Sequence, residues 1–356
     1  MTTEFKIAIL PGDGIGPEVM AEAVKTLRAV EAKLEATRFD LREFSVGAGE
    51  YLKSGDPLPP ETFIELKKYD AILLAAMGLP EVRSESGLEM APQLDLRERL
   101  DLYCGLRPVR LYHTSDTPLK RSAAGEINLL IVRENTEGLF ASRKNSFAPA
   151  LDAAIDTMLV TRKGAERIFR AAFHVARRRR GHVTLVDKAN VLPSMAFFRR
   201  VFDEVRPEFP DVKTEKIYVD AAALYLVQQP QRFDVLVTEN LFGDILSDLA
   251  GGLVGGMGMA PSADIGDEYA VFQPSHGSAP DIAGKGIANP VAAILSLQMM
   301  LEWLDTEETR RGAKLVGGAI ERIFRDSEKR TRDLGGSFST AAMGDLIAAE
   351  IARGEL

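Results

Sequence analysis

One short stretch of the chain holds two carboxylates at a spacing suited to metal binding. Residues 240–248 read Asn-Leu-Phe-Gly-Asp-Ile-Leu-Ser-Asp, after an apolar run and at the start of a helical pattern. Because a helix completes a turn in about 3.6 residues, Asp244 and Asp248 project from one face, one turn apart. Carboxylates placed in this way suit Mg²⁺ or Mn²⁺, with substrate oxygens completing the coordination. The alternative is that both acids only favour a helix start, where negative charge is stabilising.

Three strand-like runs in the middle of the chain each lead into a polar residue. The runs cover residues 182–186, 216–219 and 233–238. Lys188, Asp220 and Asp244 follow them in turn. Strands that alternate with helices predict an α/β sheet, in which ligands bind beyond the carboxyl ends of the strands. We therefore predict that these three side chains lie where chemistry takes place.

Three arginines fall close to predicted strands or helix ends in the first half of the chain. Arg97 lies in Leu-Asp-Leu-Arg, Arg107 in Gly-Leu-Arg-Pro and Arg133 in Ile-Val-Arg-Glu-Asn. A guanidinium presents a planar fork that pairs with a carboxylate at two points, so three of them would form a carboxylate clamp. Each one taken alone is typical of a solvated or ion-paired surface side chain.

Two glycine-rich segments have the composition of ligand-binding loops. Residues 11–18 lie between a predicted strand, 6–10, and a predicted helix, 17–34, and their Gly-x-Gly-x-Gly spacing differs from that of a Rossmann phosphate loop. A tight turn that brings the backbone close to a ligand is the better interpretation. Residues 276–290 are dense in backbone donors and carry His276 and Asp281, which suits a ribose and pyrophosphate; an ordered surface loop is the alternative.

Composition and charge exclude several classes of function. Of the 356 residues, 46% are hydrophobic and 27% are charged, as in an ordinary soluble globular protein. The net charge of -8 argues against a nucleic-acid surface, since phosphate binding needs clustered positive charge. The one basic run, residues 177–180, ends a helical pattern just before Gly181, where cations complement the helix dipole.

The cysteine count and the apolar runs indicate the compartment. Cys104 is the only cysteine, which excludes an intramolecular disulfide and a thiolate zinc cluster and fits a reducing environment. The amino terminus has no secretory signal pattern, and the longest apolar run, residues 71–79, is too short to span a bilayer. We expect a cytoplasmic protein with neither a membrane nor a nucleic acid as its partner.

With these motifs in view, essentially the whole chain resembles the β-decarboxylating dehydrogenases, the family of isopropylmalate, isocitrate, homoisocitrate, tartrate and D-malate dehydrogenases. The segments that carry the resemblance are Pro-Gly-Asp-Gly-Ile-Gly at 11–16, Arg-Pro-Val from Arg107, Arg-Glu-Asn-Thr-Glu-Gly at 133–138, and residues 240–248 and 276–290. The last two are long and specific.

The resemblance implies an α/β fold of the isopropylmalate/isocitrate dehydrogenase type, which is not a Rossmann fold. A discontinuous first domain of residues 1–102 and 255–356 would bind the cofactor, and an inserted domain of residues 103–254 would carry the dimer contacts. The active-site cleft would lie between them. The site would be shared in a homodimer, with Lys188 and Asp220 supplied by the partner subunit.

The same resemblance assigns roles to individual residues. Arg97, Arg107 and Arg133 would grip the carboxylates of a malate, and Asp220, Asp244 and Asp248 would hold Mg²⁺ or Mn²⁺. Lys188 would act as the base that takes the hydroxyl proton, with Asp220 beside it in catalysis. NAD would be bound by His276, Gly277, Ser278, Ala279, Asp281 and Asn289. Asp281 stands where relatives that use NAD place the acid for the adenosine ribose hydroxyls, so we predict NAD over NADP.

Three positions depart from the family pattern. Phe140 replaces a tyrosine thought to protonate the enolate, Gln93 replaces the leucine that meets the isopropyl group in isopropylmalate enzymes, and Gln-Pro-Ser at 273–275 replaces Glu-Pro-Val. We therefore expect oxidative decarboxylation of a 3-substituted (R)-malate whose C3 group is polar or small. The alternatives are 3-isopropylmalate dehydrogenase itself and a non-catalytic regulatory subunit of a heteromeric isocitrate dehydrogenase, against which the retained Lys188 and metal acids argue.

Overall fold

A computed structural model describes residues 2–84, 87–144 and 155–354. The strands are β1 (Thr3–Gly12), β2 (Thr37–Glu43), β3 (Ala71–Ala76), β4 (Cys104–Arg110), β5 (Asn128–Glu134), β6 (His182–Asp187), β7 (Lys213–Tyr218), β8 (Val235–Thr238), β9 (Pro261–Ile265) and β10 (Ala270–Pro274). The helices are α1 (Gly16–Glu31), α2 (Ala48–Ser54), α3 (Pro60–Leu66), α4 (Pro92–Arg99), α5 (Arg162–Arg177), α6 (Pro193–Val205), α7 (Val219–Gln228), α8 (Asn240–Gly252), α9 (Val291–Trp303), α10 (Glu307–Phe324) and α11 (Thr340–Arg353).

The strands form one mixed sheet. Its ten strands run in the order β2-β1-β3-β10-β9-β4-β5-β8-β6-β7. The strands at each end pair in parallel, while β9 pairs antiparallel with both of its neighbours and β4 pairs antiparallel with β5. The predicted α/β class is confirmed, and a single sheet passes through the whole molecule.

The sheet has two halves, each with its own packed layers. The first half contains β1, β2, β3, β9 and β10, and its largest core lies against α1, α9, α10 and α11. The second half contains β4 to β8, with α5 and α6 on one face and α7 and α8 on the other. The strands thus divide along the predicted boundaries near residues 102 and 255, but the two-domain division itself stays a prediction.

Several predicted elements have shifted ends. The helix predicted at 17–34 is α1, which ends at Glu31. The strand predicted to end at Asp220 is β7, which ends at Tyr218, so that Asp220 lies in the first turn of α7 instead of at a strand end. The two-residue difference arises because a helix follows β7 directly, without a loop.

The basic run at 177–180 has the structural role that the sequence predicts. Helix α5 ends at Arg177, and Gly181, with a φ of 71°, donates its N–H to the carbonyl of Ala176. Arg177 pairs with Asp211, and Arg179 pairs with the buried Asp234. Arg177 and Arg179 therefore form ion pairs at the carboxyl end of a helix, where cations complement the helix dipole.

A groove of about 720 Å³ lies where the two halves meet, on the sheet face that Leu106 and Pro108 of β4 share. The groove lies between α5, which contributes Val175 to its lining, and α9, which contributes Met299 and Trp303. Since side chains alternate along a strand, Arg107 points to the opposite face. The groove and the predicted substrate clamp therefore lie on opposite sides of the sheet.

Among the residues that the structure describes, no helix has both the length and the apolar character needed to cross a bilayer.

Candidate active site

The three predicted clamp arginines are all buried. Arg97 lies near the end of α4, Arg107 in β4 and Arg133 in β5, and their exposed fractions are 6%, 6% and 1%. The register places Gly105 of β4 opposite Arg133, so β4 and β5 carry two of the arginines on adjacent strands. Arginines as buried as these require anionic partners, because an unpaired charge is costly to remove from water.

A carboxylate that the sequence analysis did not single out joins the two halves at this point. Asp264 of β9 is 1% exposed and accepts a hydrogen bond from Arg97 Nε at 2.9 Å, while Arg107 Nη2 lies 3.9 Å away. Asn135 Nδ2 and Gln273 Nε2 also donate to Asp264, at 2.7 and 2.6 Å. Burial alone would raise the pKa of Asp264, but the two arginines outweigh it and lower the pKa.

The departure at residues 273–275 is part of this network. Gln273 donates to Asp264, and Ser275 Oγ accepts a hydrogen bond from Arg107 Nη1 at 2.8 Å. Two neutral side chains thus join the network of Arg107 and Asp264 at positions where the resemblance would place a glutamate and a valine. Burial lowers the pKa of Arg107, and Asp264 opposes that effect.

The stretch at 240–248 reaches the clamp through Arg133. Asn240 Oδ1 accepts from Arg133 Nε at 3.0 Å and from Nη2 at 2.7 Å, and Asp244 forms an ion pair with Arg133 Nη1. A Cβ on Gly243 would lie 2.7 Å from Arg133 Cγ, so glycine is the residue that lets the guanidinium pass. Asp244 therefore pairs directly with a clamp arginine, while its role as a metal ligand stays a prediction.

Asp244 and Asp248 form a partly exposed pair on α8. Helix α8 begins after Glu239, whose carboxylate accepts the N–H groups of Leu241 and Phe242. Burial and, next, the charge of Asp244 raise the pKa of Asp248. A cation held between the two carboxylates would remove that repulsion, and two carboxylates with substrate oxygens form a common Mg²⁺ or Mn²⁺ donor set.

Lys188 and Asp220 lie together but apart from this pair. Lys188 Nζ donates to Asp220 Oδ1 at 2.7 Å, and the Asp220 side chain is 68% exposed. Across the described ranges, no three His, Cys, Asp or Glu side chains are grouped so that they could hold a metal ion. One chain therefore does not assemble Asp220 with Asp244 and Asp248, and the sharing of Asp220 and Lys188 between subunits stays a prediction.

Gln93 and Phe140 both lie at the clamp. Gln93 precedes Arg97 by one turn of α4, and its Oε1 is buried without a hydrogen-bond partner among the described residues. A side chain pointing to solvent would not bury that atom. The ring of Phe140 lies under the guanidinium of Arg133, with 5.3 Å from Cζ to the ring centroid.

The loop predicted to bind the cofactor is fixed by the first helix. Ser278 accepts the N–H of Ile15 at 2.7 Å, and Glu18 of α1 accepts the N–H groups of Gly284 and Gly286. His276 Nδ1 lies 2.9 Å from the carbonyl of Gly277, and its Nε2 is buried without a partner in the part of the chain described. Burial lowers the pKa of His276, which favours the neutral ring.

The remaining residues predicted to bind the cofactor differ in exposure and in hydrogen bonding. Gly277 and Asp281 are exposed, and Ala279 has a φ of 37°. Asn289 Oδ1 accepts the N–H of Val291 at the start of α9, and its Nδ2 donates to Asp333 at 3.1 Å. Asp281 is thus open to solvent, whereas the side chain of Asn289 is hydrogen-bonded within the protein. The contact of this loop with NAD stays a prediction.

The turn at residues 11–18 approaches the chain's own backbone. A Cβ on Gly14, whose φ is 59°, would lie 2.0 Å from the carbonyl oxygen of Ser278. The N–H groups of Ala48, Gly49 and Gly78 point to the carboxylate of Asp13, at 2.8 Å each. The turn's own N–H groups at Asp13, Ile15 and Gly16 donate to backbone carbonyls, which disfavours its interpretation as a phosphate loop.

Sequence reasoning missed Asp264, Asn135 and Glu18. Asp264 stands in Pro-Ser-Ala-Asp-Ile, a short and partly polar segment in which nothing marks the acid as buried. Glu18 gave no signal, because an acid in the first turn of a helix is explained by the helix dipole alone.

Comparisons with known proteins agree with this architecture. Residues 6–347 match the family described as isocitrate/isopropylmalate dehydrogenase. The 3-isopropylmalate dehydrogenase of Moorella thermoacetica is 44% identical over 98% of this chain and 100% of that protein, and that of Thermotoga maritima is 43% identical over 98% and 99%.

Solved structures show the same fold. The isocitrate dehydrogenase of Methylococcus capsulatus has a TM-score of 0.87 and 39% identity, over 98% of this chain and all of that one. A β-decarboxylating dehydrogenase of Thermococcus kodakarensis has a TM-score of 0.80 and 39% identity, over 98% and 96%. The chain belongs to the isocitrate/isopropylmalate dehydrogenase family and is a decarboxylating dehydrogenase.

Proposed function

We propose that this enzyme carries out the NAD- and divalent-metal-dependent oxidative decarboxylation of a 3-substituted (R)-malate. The observation that carries the proposal is the convergence of Arg97, Arg107 and Arg133 beside the carboxylates of Asp244 and Asp248. Buried guanidiniums bind substrate carboxylates, and neighbouring aspartates hold a cation against the substrate hydroxyl.

Each group of residues is assigned one part of the reaction. The arginines fix both carboxylates, so that the C2 hydrogen and the leaving carboxylate keep a defined orientation. Lys188 Nζ, as the neutral amine, would accept the proton of the 2-hydroxyl, and bound NAD would supply the hydride acceptor for C2. A bound Mg²⁺ or Mn²⁺ would supply Lewis acidity at the hydroxyl and at the enolate that remains after carbon dioxide departs.

Gln93 supports a polar C3 group. Its buried Oε1 has no donor among the described residues, and an unpaired buried acceptor costs about 1–3 kcal/mol. A hydroxyl on C3 would donate to this oxygen, whereas an isopropyl group would leave it unpaired. The names of the relatives favour isopropylmalate as the second candidate, and Gln93 is the residue that separates the two.

A homodimer that shares its active sites completes the proposal. Helices α7 and α8 pack together and expose Leu224, Val227 and Ile245, which are 51%, 44% and 58% exposed. Asp220 lies on α7 and Asp244 on α8. Burial of this apolar surface against a second chain would bring Asp220 of one subunit toward Asp244 of the other.

The test is a combined assay. Purified protein is incubated with NAD or NADP, Mn²⁺ and a panel of (R)-malates that carry hydroxyl, methyl, isopropyl or carboxymethyl at C3. NADH and carbon dioxide are followed together, with EDTA as the metal control. Stoichiometric release of both products supports the proposal, whereas full activity in excess EDTA or no NADH from any malate overturns it.

A further inference from the structure

The pairing of the clamp arginines limits the charge that they present to a substrate. Arg97 and Arg107 share the single carboxylate of Asp264, at 2.9 and 3.9 Å, and Arg133 pairs with Asp244. All three guanidiniums are therefore partly neutralised before a ligand binds. Arg97 and Arg107 together with Asp264 carry one net positive charge instead of two.

We propose that Asp264 restricts the substrate to a malate whose C3 group is uncharged, so that the ligand is a dianion and not a tricarboxylate. This inference rests on the proposed function and deepens it. One net positive charge at Arg97 and Arg107 matches one substrate carboxylate. Gln93, the predicted neighbour of the C3 group, lies one turn before Arg97 in α4. A third carboxylate there would meet a guanidinium whose charge Asp264 already balances, and unmatched like charges in a buried site are strongly disfavoured.

The neutral neighbours of the clamp support the same conclusion. Gln273 and Ser275, which contact Asp264 and Arg107, add hydrogen bonds without adding positive charge. The buried Gln93 Oε1 is an acceptor, which a C3 hydroxyl satisfies and a C3 carboxylate does not. The uncharged group that fits best is therefore a hydrogen-bond donor.

A purely structural role for Asp264 makes a different prediction. If Asp264 only anchored the arginines, its removal would weaken the binding of every malate in the same proportion. If it sets the charge, replacement by the isosteric amide frees a positive charge and favours the trianionic ligand more than the dianionic one, so that the ratio of their affinities changes. The ratio of affinities separates the two roles, where a single affinity does not.

Binding is measured by titration calorimetry with Mg²⁺ and without NAD, so that no turnover takes place. The probes are (R)-malates that carry either a hydroxyl or a carboxymethyl group at C3. The wild-type protein should bind the hydroxyl compound at least about tenfold more tightly. Asp264→Asn should shift that ratio toward the carboxymethyl compound by about tenfold, since one opposing charge is removed.

Asp116→Asn is the matched control. Asp116 forms another buried Asp–Arg pair, with Arg330 at 2.9 and 3.0 Å, and both side chains are 2% exposed. Its replacement also leaves an arginine without its carboxylate, but the ratio should stay at the wild-type value. A wild-type preference for the carboxymethyl compound would overturn the inference, as would an unchanged ratio in Asp264→Asn.

If Asp264→Asn does not fold, a wild-type preference for the carboxymethyl compound still overturns the inference. The turnover assay is scored separately from this binding ratio. Failure of every malate to yield NADH would defeat the proposed function, while the ratio measured without NAD still tests the charge that Asp264 sets.

Discussion

The two ends of the candidate site are built in contrasting ways. At the clamp, Arg97, Arg133 and Asp264 are buried and hydrogen-bonded to partners from both halves of the sheet. At the other end, Lys188 and Asp220 form an exposed ion pair beyond β6 and β7. The first end is organised within one chain, because buried charges must be paired there. The second end is exposed, and no other potential metal ligands among the described residues join Asp220 there.

Under the proposed function, this contrast separates the clamp and its neighbouring acids, Asp244 and Asp248, from the proton transfer assigned to Lys188. A buried clamp can select a ligand by charge and shape before the site is complete. A solvated pair such as Lys188–Asp220 contributes little to stability on its own, since water and salt screen exposed ion pairs. Its proposed role depends on a second subunit, which would place Asp244 near this pair.

The largest effect is expected at Asp244. Asp244→Asn should abolish metal-dependent turnover while the fold persists, because the amide keeps the shape but loses the carboxylate ligand. Turnover is measured against Mn²⁺ concentration, with circular dichroism as the control for folding. Undiminished kcat at saturating Mn²⁺ would show that Asp244 is only a partner of Arg133.

Mixing two inactive variants tests whether the ends come from different subunits. Lys188→Ala and Asp244→Asn should each be inactive. After unfolding and refolding together, they should recover about a quarter of the wild-type activity, since half of the random dimers contain one intact site of two. If the mixture stays inactive although mixed dimers form, each chain uses its own Lys188.

The next effect concerns Phe140, which lies on the clamp side. Phenylalanine has no proton to donate, and general acid catalysis is typically worth about 10² to 10⁴ in rate. We expect a fast burst of NADH followed by slow turnover, and Phe140→Tyr should accelerate only the slow phase. Stopped-flow absorbance measures both phases. The absence of a burst, with no gain from the tyrosine, would place proton delivery elsewhere, for example at Tyr225.

A smaller effect is expected from the cofactor loop. Asp281 is exposed, and a 2′-phosphate beside it would meet a like charge. We expect kcat/KM to favour NAD over NADP by about 5- to 150-fold, the equivalent of 1–3 kcal/mol. Asp281→Asn should narrow that ratio without changing the preference among malates. A higher kcat/KM with NADP would contradict the role of Asp281.

The smallest effect is expected at Glu18, which supports that loop from α1. Glu18→Gln keeps one acceptor for the N–H groups of Gly284 and Gly286 but removes the charge. Hydrogen bonds to charged groups exceed neutral ones by about 0.5–1.5 kcal/mol. The KM for NAD should therefore rise a few-fold with kcat unchanged. A fall in kcat with an unchanged KM for NAD would show that Glu18 acts elsewhere.

Much of the site could be predicted because its residues stand in local patterns. The helical spacing of Asp244 and Asp248 and the strand ends before Lys188 and Asp244 are visible within short windows of sequence. Local periodicity carries this information, since it reports which way each side chain points. Phe140 was identified by its place after the Arg-Glu-Asn-Thr-Glu-Gly motif, whereas its contact with Arg133 is visible only in the structure.

Asp264 could not be found in that way. Its partner Arg97 lies far away in the sequence, and the pairing depends on β9, an antiparallel strand inserted between two halves that are otherwise mainly parallel. The neighbour of the glycine turn at 11–18 could not be predicted for a related reason. Gly14 indicates a close approach, but only the fold shows that the neighbour is the backbone of Ser278.

The position of Asp264 at the junction of the two halves links substrate binding to the way the halves are joined. The main helix contacts fall within one half or the other, and the halves are joined by the backbone ladder between β9 and β4 together with buried ion pairs such as Asp116–Arg330. The groove between α5 and α9 leaves the opposite face of this junction without packed helices. Because Asp264 lies in β9, any change in the angle between the halves would also move the carboxylate that Arg97 and Arg107 share.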